Sequence, residues 1–190
     1  MGRYAYPHII ENGAGERLIF LRLVAGTRGE RVEGENVVTP GAGPPMHVHY
    51  NQEEVFTVQQ GRIGYQRLGE PPHFAGAGET VAFRAGEPHR FWNAGDGDLR
   101  CTAHIEPAHN AEYLLTEIFE STRRNGGARP DPFDAAFLMT RYRSEFAMVD
   151  VPALVQRVVF PVLVAVGKVL GKYRKYADAP EPVRRQREQP

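Results

Sequence analysis

Residues 41–61 read GAGPPMHVHYNQEEVFTVQQG. His47 and His49 lie two apart in a segment with strand character, so both imidazoles face the same way. Glu54 follows the short turn-like stretch YNQE, at the start of the strand EVFTV. A chain that bends at this turn returns the carboxylate of Glu54 to the pocket of the two imidazoles. Glu53 is an alternative ligand, but neighbouring strand residues face opposite ways, so only one of the two carboxylates points there.

A second stretch, GETVAFRAGEPHRFWN at residues 78–93, supplies a further imidazole. His89 follows the turn RAGEP and begins another apolar strand. Three imidazoles and one carboxylate form a mixed nitrogen and oxygen set that suits divalent Fe, Mn, Ni, Zn, Co or Cu. Because imidazole must be neutral to bind a metal, the occupancy of such a site is expected to fall as the pH drops toward about 6.5.

The two stretches resemble, in the right order, the two sequence motifs of the cupin superfamily. The matching positions of both motifs are Gly41, His47, His49, Glu54, Gly61, Gly78, Gly86, His89 and Asn93. Arg84 stands where the family usually has a proline that helps to set the turn. The resemblance covers residues 40–107 and its spacing selects Glu54 over Glu53. It implies a small antiparallel barrel that holds one metal ion through His47, His49, Glu54 and His89.

The strand pattern independently favours a β-barrel over residues 1–107. Segments such as RLIFLRLVA (17–25) and ETVAFRAG (79–86) are short and rich in β-branched or bulky apolar residues. Turn signals recur about every ten residues, and no 3.6-residue period appears, which is typical of a sandwich or closed barrel. We therefore predict a mainly β fold, a cupin-type, jelly-roll-like barrel followed by C-terminal α-helices.

The pattern changes to helical after Pro107 and predicts an extension over residues 108–176. In residues 110–127 the apolar residues recur at helical spacing, with Asn110 as the expected N-cap. A second helix is expected to begin at Asp131-Pro132, with the aspartate as its N-cap. Residues 177–190, a charged and proline-containing stretch, are expected to form a mobile tail.

The apolar run VPALVQRVVFPVLVAVGKVLG (151–171) is too short to cross a membrane. Arg157 and Lys168 bracket only ten of its residues, where a bilayer core needs about 20, and Pro161 should kink it or split it in two. Such a segment must still cover its sides, against the barrel or against a second subunit, and a homodimer is predicted. The basic residues that follow would suit a membrane surface, although a solvated helix end is the simpler account.

Composition excludes some partners and favours one compartment. Lys and Arg number 23, as do Asp and Glu, so a chain without net charge offers no general attraction for nucleic acid. Cys101 is the only cysteine, and this count fits a reducing compartment. Its side chain is expected to be buried. The first residues contain no basic and apolar leader pattern, so a cytoplasmic location is expected.

Four strand residues are candidates for the wall of a ligand pocket, namely Tyr65, Phe83, Phe91 and His104. Core packing is the default for the aromatic residues, and a hydrogen-bonded structural role is the simpler account of His104. Whichever of them faces the barrel interior would contact a bound molecule.

The resemblance defines fold and metal better than reaction, because one fold supports many chemistries. The first hypothesis is a metal-dependent enzyme acting on a small organic molecule, with a dioxygenase as the leading class and Glu54 as a possible base. The alternatives are a small-molecule binding or sensing module without turnover, and an isomerase. A metal ion that only holds the fold together is a further alternative.

Overall fold

The computed structural model describes residues 3–185, in which antiparallel strands come first and helices follow. The strands are β1 (His8–Glu11), β2 (Glu16–Ala25), β3 (Glu30–Val38), β4 (His47–His49), β5 (Glu53–Gln60), β6 (Arg62–Arg67), β7 (His73–Gly76), β8 (Thr80–Phe83), β9 (His89–Asn93), β10 (Leu99–Glu106) and β11 (Phe146–Met148). The helices are α1 (Ala111–Arg124), α2 (Pro132–Arg141) and α3 (Phe160–Val169).

Two sheets form the barrel, with strand orders β1-β2-β3-β10-β5-β8 and β11-β4-β9-β6-β7. All the pairs are antiparallel. Apolar side chains at alternate strand positions form the main core, which includes Val38, Phe56, Val58, Ile63, Phe83, Phe91, Leu99 and Cys101. The predicted fold class, a mainly β barrel followed by helices, is confirmed, and Cys101 is buried as expected.

Of the two predicted helix caps, one is present. The Asp131 side chain accepts hydrogen bonds from the backbone N–H groups of Phe133 at 2.9 Å and Asp134 at 3.3 Å, so α2 begins as predicted. The prediction for Asn110 is wrong, because its side chain makes no capping bond to α1. The amide instead donates to the carboxylate of Glu145 at 2.7 Å, which ties the start of α1 to the segment before β11.

The helical extension contributes a strand to the barrel. β11 pairs with β4, so that Phe146 lies opposite His49 and Met148 opposite His47. Three residues, FAM, are too short to show a period of two, and the sequence therefore gave no sign of this strand. The barrel and the extension share a sheet, and one edge of the metal-binding strand is covered by the extension.

Residues 177–185 are bound to the rest of the chain, in contrast to the mobile tail expected from their composition. Their backbone carbonyls accept hydrogen bonds from Tyr142 Oη at 2.9 Å and Ser144 Oγ at 2.7 Å. The N–H of Val183 donates to Glu145 Oε1 at 2.8 Å. Partners more than 30 residues away explain why local sequence did not reveal this order; residues 186–190 lie outside the described part.

The segment 151–171 is not split at Pro161, because its helical backbone is continuous from residue 153 to residue 169. A π-helical stretch, Val155–Val159, leads directly into α3, whose second residue is Pro161. α3 packs on α2, but much of its outer side is exposed and apolar, including Val158, Val162, Val166, Val169 and Leu170. Within residues 3–185, no helix combines the length and the apolar character that a bilayer crossing requires.

Candidate metal centre and adjoining cavity

The four predicted metal ligands come from both sheets and meet inside the barrel. β4 carries His47 and His49 on one face, and β9 places His89 directly opposite His47. β5, in the other sheet, supplies Glu54. One ligand atom from each side chain can be chosen so that all four lie within 4.8 Å of one another. The structure thus brings the complete predicted set together.

A turn before β9 helps to position the site. Gly86 has φ of 79°, which other residues rarely adopt, and its N–H donates to the carbonyl of His49 at 2.7 Å. Arg84 stands at the usual proline position, and its backbone N–H, which proline would lack, donates to Glu87 Oε2 at 2.9 Å. This hydrogen bond holds the turn in place of the proline ring.

The imidazole of His89 is oriented at both ring nitrogens. Nδ1 lies 2.8 Å from the carbonyl oxygen of Glu87, and Nε2 lies 3.0 Å from Glu54 Oε2. A neutral imidazole has one N–H and can satisfy only one of these acceptors. With Nδ1–H donated to the carbonyl, a cation between Nε2 and the carboxylate would satisfy the other contact. The donor set therefore fits a divalent metal ion.

Further contacts hold the histidine rings from behind. His47 Nδ1 lies 2.8 Å from the carbonyl oxygen of Pro45, an arrangement that leaves Nε2 free for the centre. Phe83 stacks on His89 with ring centroids 3.9 Å apart and an angle of 2° between the planes. Phe146 of β11 lies 5.4 Å from His47, centroid to centroid. The extension therefore packs directly behind one ligand.

Burial sets the protonation states of the site. Desolvation lowers the pKa of His47 to about 3 and that of His49 to about 4. Burial alone would raise the pKa of Glu54, but the hydrogen bond from His89 and the nearby imidazoles lower it to about 2. At neutral pH the site therefore presents two neutral imidazoles and a carboxylate, the states in which these groups bind a metal.

A cavity of about 490 Å³ adjoins the metal ligands, a size suited to a small organic molecule. Its wall includes His47, His49 and Glu54. The barrel and the extension both contribute apolar residues, among them Leu18, Phe20, Val32, Phe56, Phe91, Ile105, Leu115, Ile118, Phe119, Met139, Phe146, Met148, Val151 and Phe160. The helices thus close a space that the barrel strands alone would leave open.

The four pocket candidates are placed differently. Phe91 lines the cavity, whereas Tyr65 and Phe83 do not, because Phe83 is fully buried against His89 and Tyr65 stacks on His73. His104 touches the cavity, but its neighbours Ala103 and Ile105 pack in the core, so strand alternation turns its imidazole outward. There the desolvation of His104 lowers its pKa, with Arg31 adding to the effect.

The sequence analysis did not identify several polar residues of the cavity wall, among them Asn12, Glu16 and Asn36. Asn12 Nδ2 donates to Glu16 Oε1 at 2.9 Å, and burial raises the pKa of Glu16 to about 7. Asn36 is 2% exposed and its Oδ1 has no hydrogen-bond partner. A period of two, Glu16-Leu18-Phe20, was visible in the sequence and would have placed the acid on the inner face of β2.

The fold and the site together define a small β-barrel protein with an internal metal-type ligand set. Residues 34–105 match the family model described as a cupin domain. This match supports the membership of the cupin superfamily that the two motifs predict.

Curated relatives and solved structures resemble parts of the chain. It is 32% identical over 85 residues to "Oxidoreductase iacF" of Pestalotiopsis fici, covering 44% of this chain and 42% of that protein. It is 36% identical over 52 residues to "Probable oxidoreductase virH" of Hypocrea virens, covering 27% and 24%. The chain thus spans less than half the length of either relative. A predicted oxalate decarboxylase from Thermotoga maritima superimposes with a TM-score of 0.42 at 21% identity, covering 52% of this chain and 90% of that one.

Proposed function

We propose that this protein binds one divalent transition metal ion and acts as an oxidoreductase, of the dioxygenase class, on a small organic molecule. His47, His49, Glu54 and His89 would hold the ion. The observation that carries the proposal is that three of these ligands also line a cavity of about 490 Å³, so a molecule bound there lies beside the metal. Similarity to two proteins named as oxidoreductases supports redox chemistry over isomerisation.

The metal ligands and the cavity wall have different roles at this site. A bound ion would supply Lewis-acid or redox chemistry at its end of the cavity. His47 and His49 remain neutral ligands, because burial lowers the pKa of each. The lowered pKa of Glu54 makes it a poor base near neutral pH, so the geometry favours its role as a ligand. The apolar walls exclude water and orient the bound molecule.

Metal analysis of the purified protein tests the first half of the proposal. We expect about one divalent transition metal ion per chain, and a severe loss in His49→Ala and His89→Ala, because each substitution removes one of four ligands. His104→Ala is the matched control, since its imidazole points away from the cavity, and it should keep its metal. Full metal content in both ligand variants would contradict the proposal.

Nitric oxide binding tests the second half. The iron(II)-loaded protein should bind nitric oxide, a surrogate for dioxygen, and show the corresponding spectrum if an exchangeable position faces the cavity. Turnover of a substrate found by screening, lost together with the metal in His49→Ala and kept in His104→Ala, would then establish a metal-dependent enzyme. Failure of the iron, manganese, nickel and copper forms to bind any added ligand would reject the dioxygenase class in favour of a binding module.

We further propose that the protein forms a homodimer through the outer side of α3 and that it resides in the cytoplasm. The exposed apolar residues of that side include Val162, Val166 and Val169, and α3 is only 10 residues long. A second copy of the chain would cover this surface without a membrane. The cytoplasmic location rests on the single buried Cys101, which fits a reducing compartment.

A further inference from the structure

Asn12, Glu16 and Asn36 form a polar group on the cavity wall that does not include any of the four metal ligands. Leu18 of β2 lies opposite Asn36 of β3, and Glu16 lies opposite Val38. Because residues two apart on a strand share a face, Glu16 and Asn36 are diagonal neighbours on the inner wall. The Glu16 carboxyl is fixed by the amide of Asn12 at 2.9 Å. Its second oxygen makes no hydrogen bond within residues 3–185.

Asn36 is the unsatisfied member of this group. Its side chain is 2% exposed and lines the cavity, and its Oδ1 atom has no hydrogen-bond partner in the described part of the chain. Buried amides without a partner are rare in proteins, and each calls for a missing partner such as a ligand or a water. The position on the cavity wall places that missing partner inside the cavity.

We propose that Asn36, with Glu16 beside it, recognises a hydroxyl group on an uncharged and largely apolar ligand. The inference deepens the proposed function, on which its biological use rests, by naming the class of molecule that the cavity takes. A hydroxyl group would donate its one proton to Asn36 Oδ1, and its oxygen can accept a hydrogen bond from the Glu16 carboxyl when that carboxyl holds a proton.

The composition of the wall supports an uncharged and apolar ligand. Three glutamates, Glu16, Glu35 and Glu54, are in the cavity lining and disfavour an anion away from the metal. Arg129, the one Lys or Arg side chain in the described lining, is exposed at the rim. The remaining wall is dominated by apolar side chains, which disfavour the burial of any unpaired charge.

The test uses three probes of one shape: 2-naphthol, 2-methoxynaphthalene and naphthalene. They are titrated calorimetrically into the zinc-loaded full chain and into the same protein after zinc removal. 2-Naphthol should bind about threefold to tenfold more tightly than the other two, the range expected for one net hydrogen bond. The preference should be present in both forms, because Asn36 is not a metal ligand.

Asn36→Leu should abolish this preference while the three probes still bind. Gln52→Leu is the matched control, since Gln52 is also a buried amide with an unpaired oxygen but does not line the cavity; it should keep the preference. Zinc content and thermal unfolding of both variants verify that metal and fold are intact.

Three results would overturn the inference. The first is persistence of the preference for 2-naphthol in Asn36→Leu. The second is loss of the preference when zinc is removed, which would place the hydroxyl at the metal. The third is that the wild-type protein binds none of the probes, which would mean that the missing partner of Asn36 is a water molecule. Failure of the chain to take up zinc would instead contradict the proposed metal centre, and the zinc-free titrations would still decide the role of Asn36.

Discussion

The two halves of the cavity wall differ in chemistry and in how they are held. At the barrel end, His47 and His89 are fixed by backbone carbonyls and by each other's strands. At the helical end, the wall consists of side chains such as Leu115, Phe119 and Met139, which are positioned by packing alone. The barrel end is therefore a metal-ligand set held by hydrogen bonds and strand pairing, whereas the helical end is an apolar cover held by packing.

The two ends of the cavity contribute different groups to the site. The barrel end holds the predicted metal ligands, and the helical end forms the apolar wall of the cavity beside them. The cover is joined to the centre through β11, whose Phe146 lies against the imidazole of His47. Changes in the extension should therefore affect the site as well as the cover, and the predictions below test how closely the two halves depend on each other.

The largest effect is expected from removing the whole extension. Truncation after Glu106 would expose an apolar cluster in which Ala111 and Phe119 pack on Ile10, Phe20 and Ile105. We expect aggregation or loss of folded protein, measured by sedimentation and circular dichroism. A soluble, folded truncated barrel would show that the two halves are independent.

The exposed side of α3 should govern association. A Val162→Glu/Val166→Glu double substitution places two charges on this apolar surface and should convert the proposed dimer to a monomer. Sedimentation equilibrium measures the change, and circular dichroism verifies the fold. A Lys172→Glu substitution changes the charge near the same helix without altering its apolar side, and the dimer should persist. A wild-type protein that sediments as a well-behaved monomer would contradict the dimer directly.

Within the extension, the covered and uncovered faces should differ in their contribution to stability. Phe119 is 6% exposed and lines the cavity, so Phe119→Ala should lower the free energy of unfolding by about 3–5 kcal/mol. Val169 is 88% exposed, and Val169→Ala should change it by no more than about 0.5 kcal/mol. Urea denaturation measures both. Equal effects would mean that Val169 is covered in solution, which would support the dimer.

The barrel end was more predictable from sequence than the helical end. The spacing of His47, His49, Glu54 and His89 within two motifs predicts the site, although the pairing of β4 with β9 and the contact between the two sheets are what bring the four side chains together. The order of residues 177–185 depends on partners far along the chain, which no local pattern encodes. β11 is too short for a period, and the role of Asn36 depends on a cavity formed by separate elements.

The pH dependence of stability should distinguish the metal ligands from Glu16. In the metal-free protein, His47 and His49 have pKa values of about 3 and 4, below the ordinary 6.5, so between pH 6.5 and 4 the unfolded chain binds about two more protons. These two groups make stability fall as the pH falls through that window.

Glu16 has the opposite sign. Its pKa of about 7 lies above the ordinary 4.5, so between pH 7 and 4.5 the folded protein holds one proton more, which favours folding as the pH falls. The net difference of about one proton predicts that the free energy of unfolding of the wild type falls by an amount on the order of 1 kcal/mol per pH unit below pH 6.5.

Glu16→Gln removes the opposing group, so the free energy of unfolding of this variant should fall more steeply, by an amount on the order of 2–3 kcal/mol per pH unit. Urea denaturation of the zinc-free proteins at pH 7, 6 and 5 measures the slopes. Because burial lowers the pKa of His47 and His49, the protein should lose its metal at a lower pH than the value of about 6.5 expected from free histidine. Identical slopes in the wild type and Glu16→Gln would show that Glu16 ionises normally, and that the polar end of the cavity is as wet as the surface.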